Sequence, residues 1–283
     1  MEKIEITPWF YYDVFRTRKR FIHAPSPALK KVQRIILKKY FKNNLNQKSV
    51  REAAFPHCGH KWIMKLDILD FFNSVKEEQI KKVISEYAED EDTEQIFSLC
   101  TLKGQLPTGA PTSPYIANLV LKSFDDEIKT VCNHYGVYYS RYMDDLFFSA
   151  DREQYILSFI ELEVLRLFRE YGFEINKDKI KYISSNKHQQ ILGLNVNNKK
   201  PVLTKDAKRK YRAYFHNLIY PLRYSNQKKY TAQERELLGH LAYIKSVDEE
   251  YYSKICLYLS KLLKKWNLMN NPCLKNLIRI NHL

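Results

Sequence analysis

No run of apolar residues in this chain is long enough to span a bilayer. Nor does it open on the charged start, apolar core and small-residue cleavage site of a secretory signal. Membrane insertion and export are therefore not expected, and the cytoplasm is the expected location. Cysteine is sparse as well. Cys58, Cys100, Cys132, Cys256 and Cys273 are scattered, odd in number and never spaced Cys-x-x-Cys, which fits reduced thiols better than a disulfide framework. His57, Cys58 and His60 form the one group of soft metal ligands. No second group follows at zinc-finger spacing, so a structural turn is expected there and not zinc.

What the chain does have is apolar bulk and unevenly placed charge. Its 283 residues are 45% hydrophobic, enough for two or three subdomains around one or two cores. The net charge of +15 divides along the chain. Residues 1–50 hold 12 Lys/Arg against 3 Asp/Glu (+9), residues 51–203 hold 19 against 23 (−4), and residues 204–283 hold 16 against 6 (+10). Two basic ends around a mildly acidic centre suit a polyanion gripped on both sides of a cation-binding site.

The acidic centre has a pattern. Val137–Ala150 (VYYSRYMDDLFFSA) sets Asp144 and Asp145 between two β-rich arms, a hairpin with its carboxylates at the bend. Neighbouring like charges repel unless a divalent cation turns the repulsion into binding energy. Taken alone, the turn also reads as an ordinary solvated one. Earlier, Met64–Val75 (MKLDILDFFNSV) places Asp67 in an apolar strand-like run, where a carboxylate must be paired, neutralised or bound to a metal. Asp67, Asp144 and Asp145 together would form a three-carboxylate cage for two Mg2+ ions, with Mn2+ as a substitute. That arrangement clamps the attacking and leaving oxygens in phosphoryl transfer.

Between these acids lies Gly104–Asn118 (GQLPTGAPTSPYIAN), a Gly/Pro-rich loop running into an apolar helix from near Pro114 and suited to close backbone approach to a ligand. In the order acid strand, Pro-Gly loop, acid-pair hairpin, the chain resembles the palm of reverse transcriptases, most closely the bacterial retron type. The resemblance implies an α+β right-hand polymerase. Residues 1–62 would be fingers, residues 63–195 a palm of antiparallel sheet plus helices with a fingers insertion near 76–103, and residues 196–283 a basic helical thumb. It further implies an RNA-directed DNA polymerase of the bacterial cytoplasm that uses deoxynucleoside triphosphates. A noncoding RNA encoded nearby would be template and primer, DNA the product, and a nearby-encoded effector protein the partner in defence against phage.

Residue by residue, the resemblance makes Asp67, Asp144 and Asp145 the metal ligands, joined by the backbone of Ile68. Lys19 and Arg20, ahead of the Pro25-Ser26-Pro27 break, would hold the incoming triphosphate, and Asp70, Phe71, Thr108 and Gly109 would also line the nucleotide. Phe72 would be the bulky gate under the sugar, leaving no room for the 2′-hydroxyl that marks ribonucleotides. Lys179 would protonate the leaving pyrophosphate. It lies in Phe173–Ile183, read as a half-exposed strand with Lys177 and Lys181 on the same face. Tyr142 and Met143 would meet nucleic acid, as would Leu192 and Gly193 in Gln190–Asn195 (QILGLN), which resembles the primer-grip hairpin. Lys205, Lys208, Arg209 and Arg212 would sit on phosphates.

Ile180 stands where a Thr usually follows the motif lysine, and three further positions depart from the retron pattern: Ala53 where an Asn precedes the matching Ala54 and His57, Thr108 for Gln, and Leu192 for Thr. These three leave open a non-retron defence reverse transcriptase making repetitive DNA. An RNA-binding scaffold without catalysis is the alternative from another class. Helical spacing gives a helix after Pro27 with Leu29, Val32, Ile35, Ile36 and Leu37 on its apolar side. It also gives a core helix over Tyr155–Tyr171 that includes Phe159 and Leu162 and is ended by Gly172, and a late helix with Leu257, Leu259, Leu262 and Leu263 inward. Glu89–Glu94 (EDEDTE) reads as a solvated loop.

Overall fold

The computed structural model describes residues 2–5, 10–17, 21–41, 49–152, 154–223 and 231–268; Lys19 and Arg20 lie outside them. In chain order the elements begin with β1 (Glu2–Glu5), β2 (Tyr11–Arg16), β3 (Phe21–Pro25), α1 (Pro27–Ile36), α2 (Val50–Ala54), β4 (Trp62–Asp67), α3 (Phe71–Ser74), α4 (Glu77–Ser85) and α5 (Asp90–Cys100). Next come α6 (Ser113–Val120), α7 (Lys122–Tyr135), β5 (Tyr138–Tyr142), β6 (Asp145–Ala150), α8 (Gln154–Tyr171) and β7 (Lys181–Ser184). The last are β8 (Gln190–Ile191), β9 (Leu194–Asn195), β10 (Val202–Leu203), α9 (Lys205–Ile219), α10 (Thr231–Val247) and α11 (Glu249–Lys265). Among the described residues no helix is long and apolar enough to cross a membrane.

The chain divides into two compact units, residues 1–48 with 60–184, and residues 49–59 with 185–283. The division falls at 184/185 and not at 195/196, because β8, β9 and β10 close a three-stranded sheet of their own. Residues 49–59 group with the second unit and not with the N-terminal segment. Arg51 donates to the Ser246 carbonyl (3.1 Å) and the Gly59 amide to that of Val196 (2.8 Å).

The first unit is built on an antiparallel sheet in the order β5-β6-β4-β7. Its central strands are buried on both faces, with Ile63, Met64, Leu66, Leu146, Phe147 and Phe148 all in the core. Helix α8 buries Ile156, Leu157, Ile160, Val164, Leu167 and Phe168, and Phe168 meets Phe124 of α7 at 4.5 Å between rings. Phe159 and Leu162, expected inside, face outward. A second sheet, β1-β2-β3, precedes α1, whose first turn is capped by Ser26 accepting from the Leu29 amide. The inward positions of α1 are Leu29, Gln33 and Ile36, at helical spacing of four and three, so Ile35 is exposed. Buried Gln33 donates through Nε2 to Tyr12 Oη (2.9 Å) and the Leu99 carbonyl (2.8 Å), while its Oε1 has no hydrogen-bond partner. Glu89–Glu94 is not a loop. It is the N-cap and first turn of α5, where acids meet the positive end of the helix dipole.

In the second unit, Phe215, Ile219, Leu241, Ile244, Leu259 and Leu263 make the core between α9, α10 and α11. Leu257 is exposed, because two residues along a helix is more than half a turn away from Leu259. Asp248 ties the unit together. Its Oδ1 caps α11 by accepting from the Tyr251 amide (3.0 Å), and its Oδ2 accepts from the Leu203 amide (3.1 Å) and from Lys208 Nζ (2.8 Å). Asp248→Ala removes the cap and leaves buried donors unmet, so an unfolding cost of about 2–3 kcal/mol is expected by urea titration. A change below about 0.5 kcal/mol, the scale of an ordinary surface substitution, would remove Asp248 from this role.

Candidate active site

Strand β4 pairs with β6 from Trp62↔Ala150 through Asp67↔Asp145, so the last residue of one strand lies opposite the first residue of the other. Directly opposed residues in an antiparallel pair sit about 4.5–5.5 Å apart at Cα. Strands β5 and β6 are joined by Met143 and Asp144 alone, with Tyr142↔Asp145 as the closing pair. Met143 takes a left-handed φ of +57°, which costs a non-glycine residue roughly 1–2 kcal/mol. The amide of Ile68 donates to the Asp144 carbonyl (2.9 Å), and the amide of Asn176 to that of Asp67 (2.8 Å). The backbones of both acidic segments are thus pinned.

The charge is concentrated. Burial, reinforced by Asp144 and Asp67, pushes the Asp145 carboxyl up to about 6 against the pull of Lys65 and Lys179. Lys179 donates to both oxygens of Asp67 (2.8 and 2.9 Å), and that contact raises its own pKa. Lys65 is pushed down by burial despite Asp145 nearby. Among the described residues no three His, Cys, Asp or Glu side chains are gathered as a ready metal cage. Asp67 stands opposite Asp145 with Asp144 beside them, and the Lys179 ammonium takes both oxygens of Asp67. Hard carboxylate oxygens with surplus negative charge still fit a divalent cation, and Asp67, Asp144 and Asp145 are the residues that would hold it.

Lys179 reaches Asp67 because Phe173–Ile183 is not one strand. Residues Lys177–Lys179 form a 3-10 turn and only β7 is extended, so Lys177, Lys179 and Lys181 do not share a face.

The chain matches the family described as reverse transcriptase (RNA-dependent DNA polymerase) over residues 13–196. It belongs to that family. Retron Ec83 reverse transcriptase of Escherichia coli is 30% identical over 231 residues, covering 71% of this chain and 74% of that protein. Retron Ec86 reverse transcriptase of Escherichia coli is 27% identical over 265 residues, covering 90% of this chain and 79% of that protein. Retron Mx65 reverse transcriptase of Myxococcus xanthus is 27% identical and is covered over 60% of its length. The enzyme is thus a retron-type, RNA-directed DNA polymerase, built of helices and antiparallel sheets.

Other expected site residues of this reverse transcriptase fall as follows. Asp70 is exposed, left-handed (φ +46°) and accepts from Asn73 Nδ2 through both oxygens (2.9 and 3.0 Å). Phe71 and Phe72 lie on the short helix α3 and not on a strand, so their contrast comes from the helical turn: Phe71 is core and stacks on the half-buried Phe72 at 5.5 Å. Thr108 and Gly109 are turned to β3. Thr108 Oγ1 donates to the Phe21 carbonyl (3.2 Å) and accepts from the His23 amide (3.4 Å), and a Cβ on Gly109 would stand 2.4 Å from the His23 carbonyl oxygen. The close approach read from the Pro-Gly loop is therefore to the chain's own backbone.

In the second unit, Leu192 and Gly193 form the two-residue turn of the β8–β9 hairpin, both with positive φ (+49° and +79°). On α9, Lys205, Arg209 and Arg212 are exposed, and Arg212 lies over the Tyr258 ring at 4.5 Å. Lys208 is committed to Asp248. Three residues were missed from sequence: Arg141, Asp125 and Asn118, a buried polar group beneath the Met143–Asp144 turn. A charged residue in the middle of a hydrophobic hairpin arm was the available signal.

Gly109→Ala is expected to force the loop off β3, since backbone oxygen cannot yield as a side chain can. Faster hydrogen exchange confined to residues 21–25 and 106–112 checks this; unchanged exchange there would show that the loop tolerates a Cβ.

Proposed function

We propose that this enzyme copies a noncoding RNA encoded near its gene into DNA by two-metal nucleotidyl transfer, in concert with an effector protein encoded nearby that acts against phage. The observation that carries the catalytic part is the Asp67↔Asp145 register, which brings acids from distant parts of the chain to one end of the sheet. Bound divalent cations, Mg2+ or Mn2+, would supply Lewis-acid activation and charge neutralisation there. Asp67, Asp144 and Asp145 are the residues that would hold them.

The primer 3′-hydroxyl gives its proton to solvent as its oxygen bonds to the α-phosphorus of a deoxynucleoside triphosphate, the α–β anhydride bond breaks, and pyrophosphate leaves. Lys179, at Asp67 in the resting enzyme, is the assigned donor of a proton to the leaving pyrophosphate. Phe72, half-buried on Phe71, is the assigned barrier to a ribose 2′-hydroxyl. Leu192 and Gly193 approach the primer strand, and Lys205, Arg209 and Arg212 meet phosphates.

Asp144→Asn with Asp145→Asn is expected to abolish Mg2+-dependent incorporation of deoxynucleotides on an RNA template while RNA binding persists; undiminished incorporation would falsify the catalytic assignment. Phe72→Ala is expected to admit ribonucleotides, seen as alkali-sensitive product, and product that stays alkali-resistant counts against the gate. Sequencing nucleic acid that copurifies with the protein from its own host should return one structured RNA joined to DNA copied from it. A random sample of cellular RNA would contradict the dedicated template.

A further inference from the structure

We propose that Arg141 is the positioning residue of the acid pair, setting the turn that carries Asp144 and Asp145 from a buried polar network. The idea rests on the catalytic reading of those two acids. Arg141 lies on β5, its side chain only 6% exposed. Its Nε and Nη2 make a two-pronged contact with Asp125 of α7 (3.0 and 2.7 Å), and Tyr139 Oη donates to the same carboxylate (2.7 Å). That anchor fixes the guanidinium plane.

The remaining nitrogen, Nη1, points along the strand. It donates to Asn118 Oδ1 of α6 (2.7 Å) and to the Met143 carbonyl (3.0 Å). Asn118 turns its Nδ2 to the Met143 sulfur at 3.9 Å. Met143 is thus held through its carbonyl and its side chain in the left-handed conformation it would not choose. The next two residues are Asp144 and Asp145. Helices α6 and α7, which carry no catalytic group, set the aim of the carboxylates through one side chain.

Asp125 has both oxygens engaged, and the far side of the turn is held by the Ile68 amide on the Asp144 carbonyl (2.9 Å). That amide gives a reporter that needs no turnover. If Arg141 holds the turn, its loss frees the Ile68 amide and residues 142–146 while the rest of the sheet stays protected.

Arg141→Met alone strands the half-buried Asp125 and can unfold the chain. The decisive variant combines Arg141→Met, Asp125→Leu and Tyr139→Phe, replacing the ion pair and the hydroxyl bonded to it with apolar side chains while the half-buried Asn118 stays, so that packing survives while the Met143 carbonyl loses its donor. Expected are hydrogen exchange about tenfold or more faster at Ile68 and 142–146, with α8 unchanged. The rate constant kcat for deoxynucleotide incorporation should fall about 100-fold, the scale of a small misplacement, with KM little altered. Exchange unchanged at the turn overturns the proposal, and so does exchange raised equally throughout the unit. The exchange measurement is independent of catalysis, so it is separable from failure of the acid assignment, which would show as incorporation surviving in the Asn variants.

Discussion

The structure depends on the register between β4 and β6. Side chains alternate along a strand, so a slip of one residue would move Asp67 off Asp145 and send its carboxylate to the other face. The acids do not hold that register themselves. They repel: after burial, the larger cause, Asp144 and Asp67 help push the Asp145 carboxyl up to about 6. What fixes the pairing is the apolar ladder behind them, Met64 on Phe148 and Leu66 on Leu146, all fully buried. Hydrophobic burial imposes a juxtaposition that electrostatics alone would resist.

The same logic explains the supporting parts. Lys179 offsets the negative charge from one side, carried there by a 3-10 turn and not by a strand. On the other side the Arg141 network sits beneath the turn, bringing no charge to the acids' open face because Asp125 neutralises it. In the C-terminal unit a basic helix likewise spends Lys208 on internal structure through Asp248 and leaves Lys205, Arg209 and Arg212 exposed. Counting cations by sequence overstates how many can reach a phosphate.

The parts read correctly from sequence are those where one local pattern decides. The acid-pair hairpin, the strand carrying Asp67, the helix starting near Pro114 and the helix stopped by Gly172 each follow from alternation, capping or glycine geometry, and the hairpin at Gln190–Asn195 from the family resemblance. The failures share a different origin. Lys179 was taken for one of three strand lysines because the alternation in Phe173–Ile183 imitates a strand, while the chain is bent by pairing of Ile175 with Ile68. Gly109 reads as room for a ligand, yet the neighbour it admits is the distant His23 backbone. Arg141 stands out in sequence as a charge in a hairpin arm, but its role does not, because Asn118 and Asp125 come together with it only in three dimensions.

The most direct test is the anomalous scattering of Mn2+ in crystals of the enzyme with an RNA template, DNA primer and a non-reacting deoxynucleotide. The account predicts Mn2+ peaks between the Asp67 and Asp145 carboxylates, with the Lys179 ammonium displaced from Asp67. Peaks elsewhere, with the Lys179–Asp67 contact intact and a nucleotide bound, would contradict it.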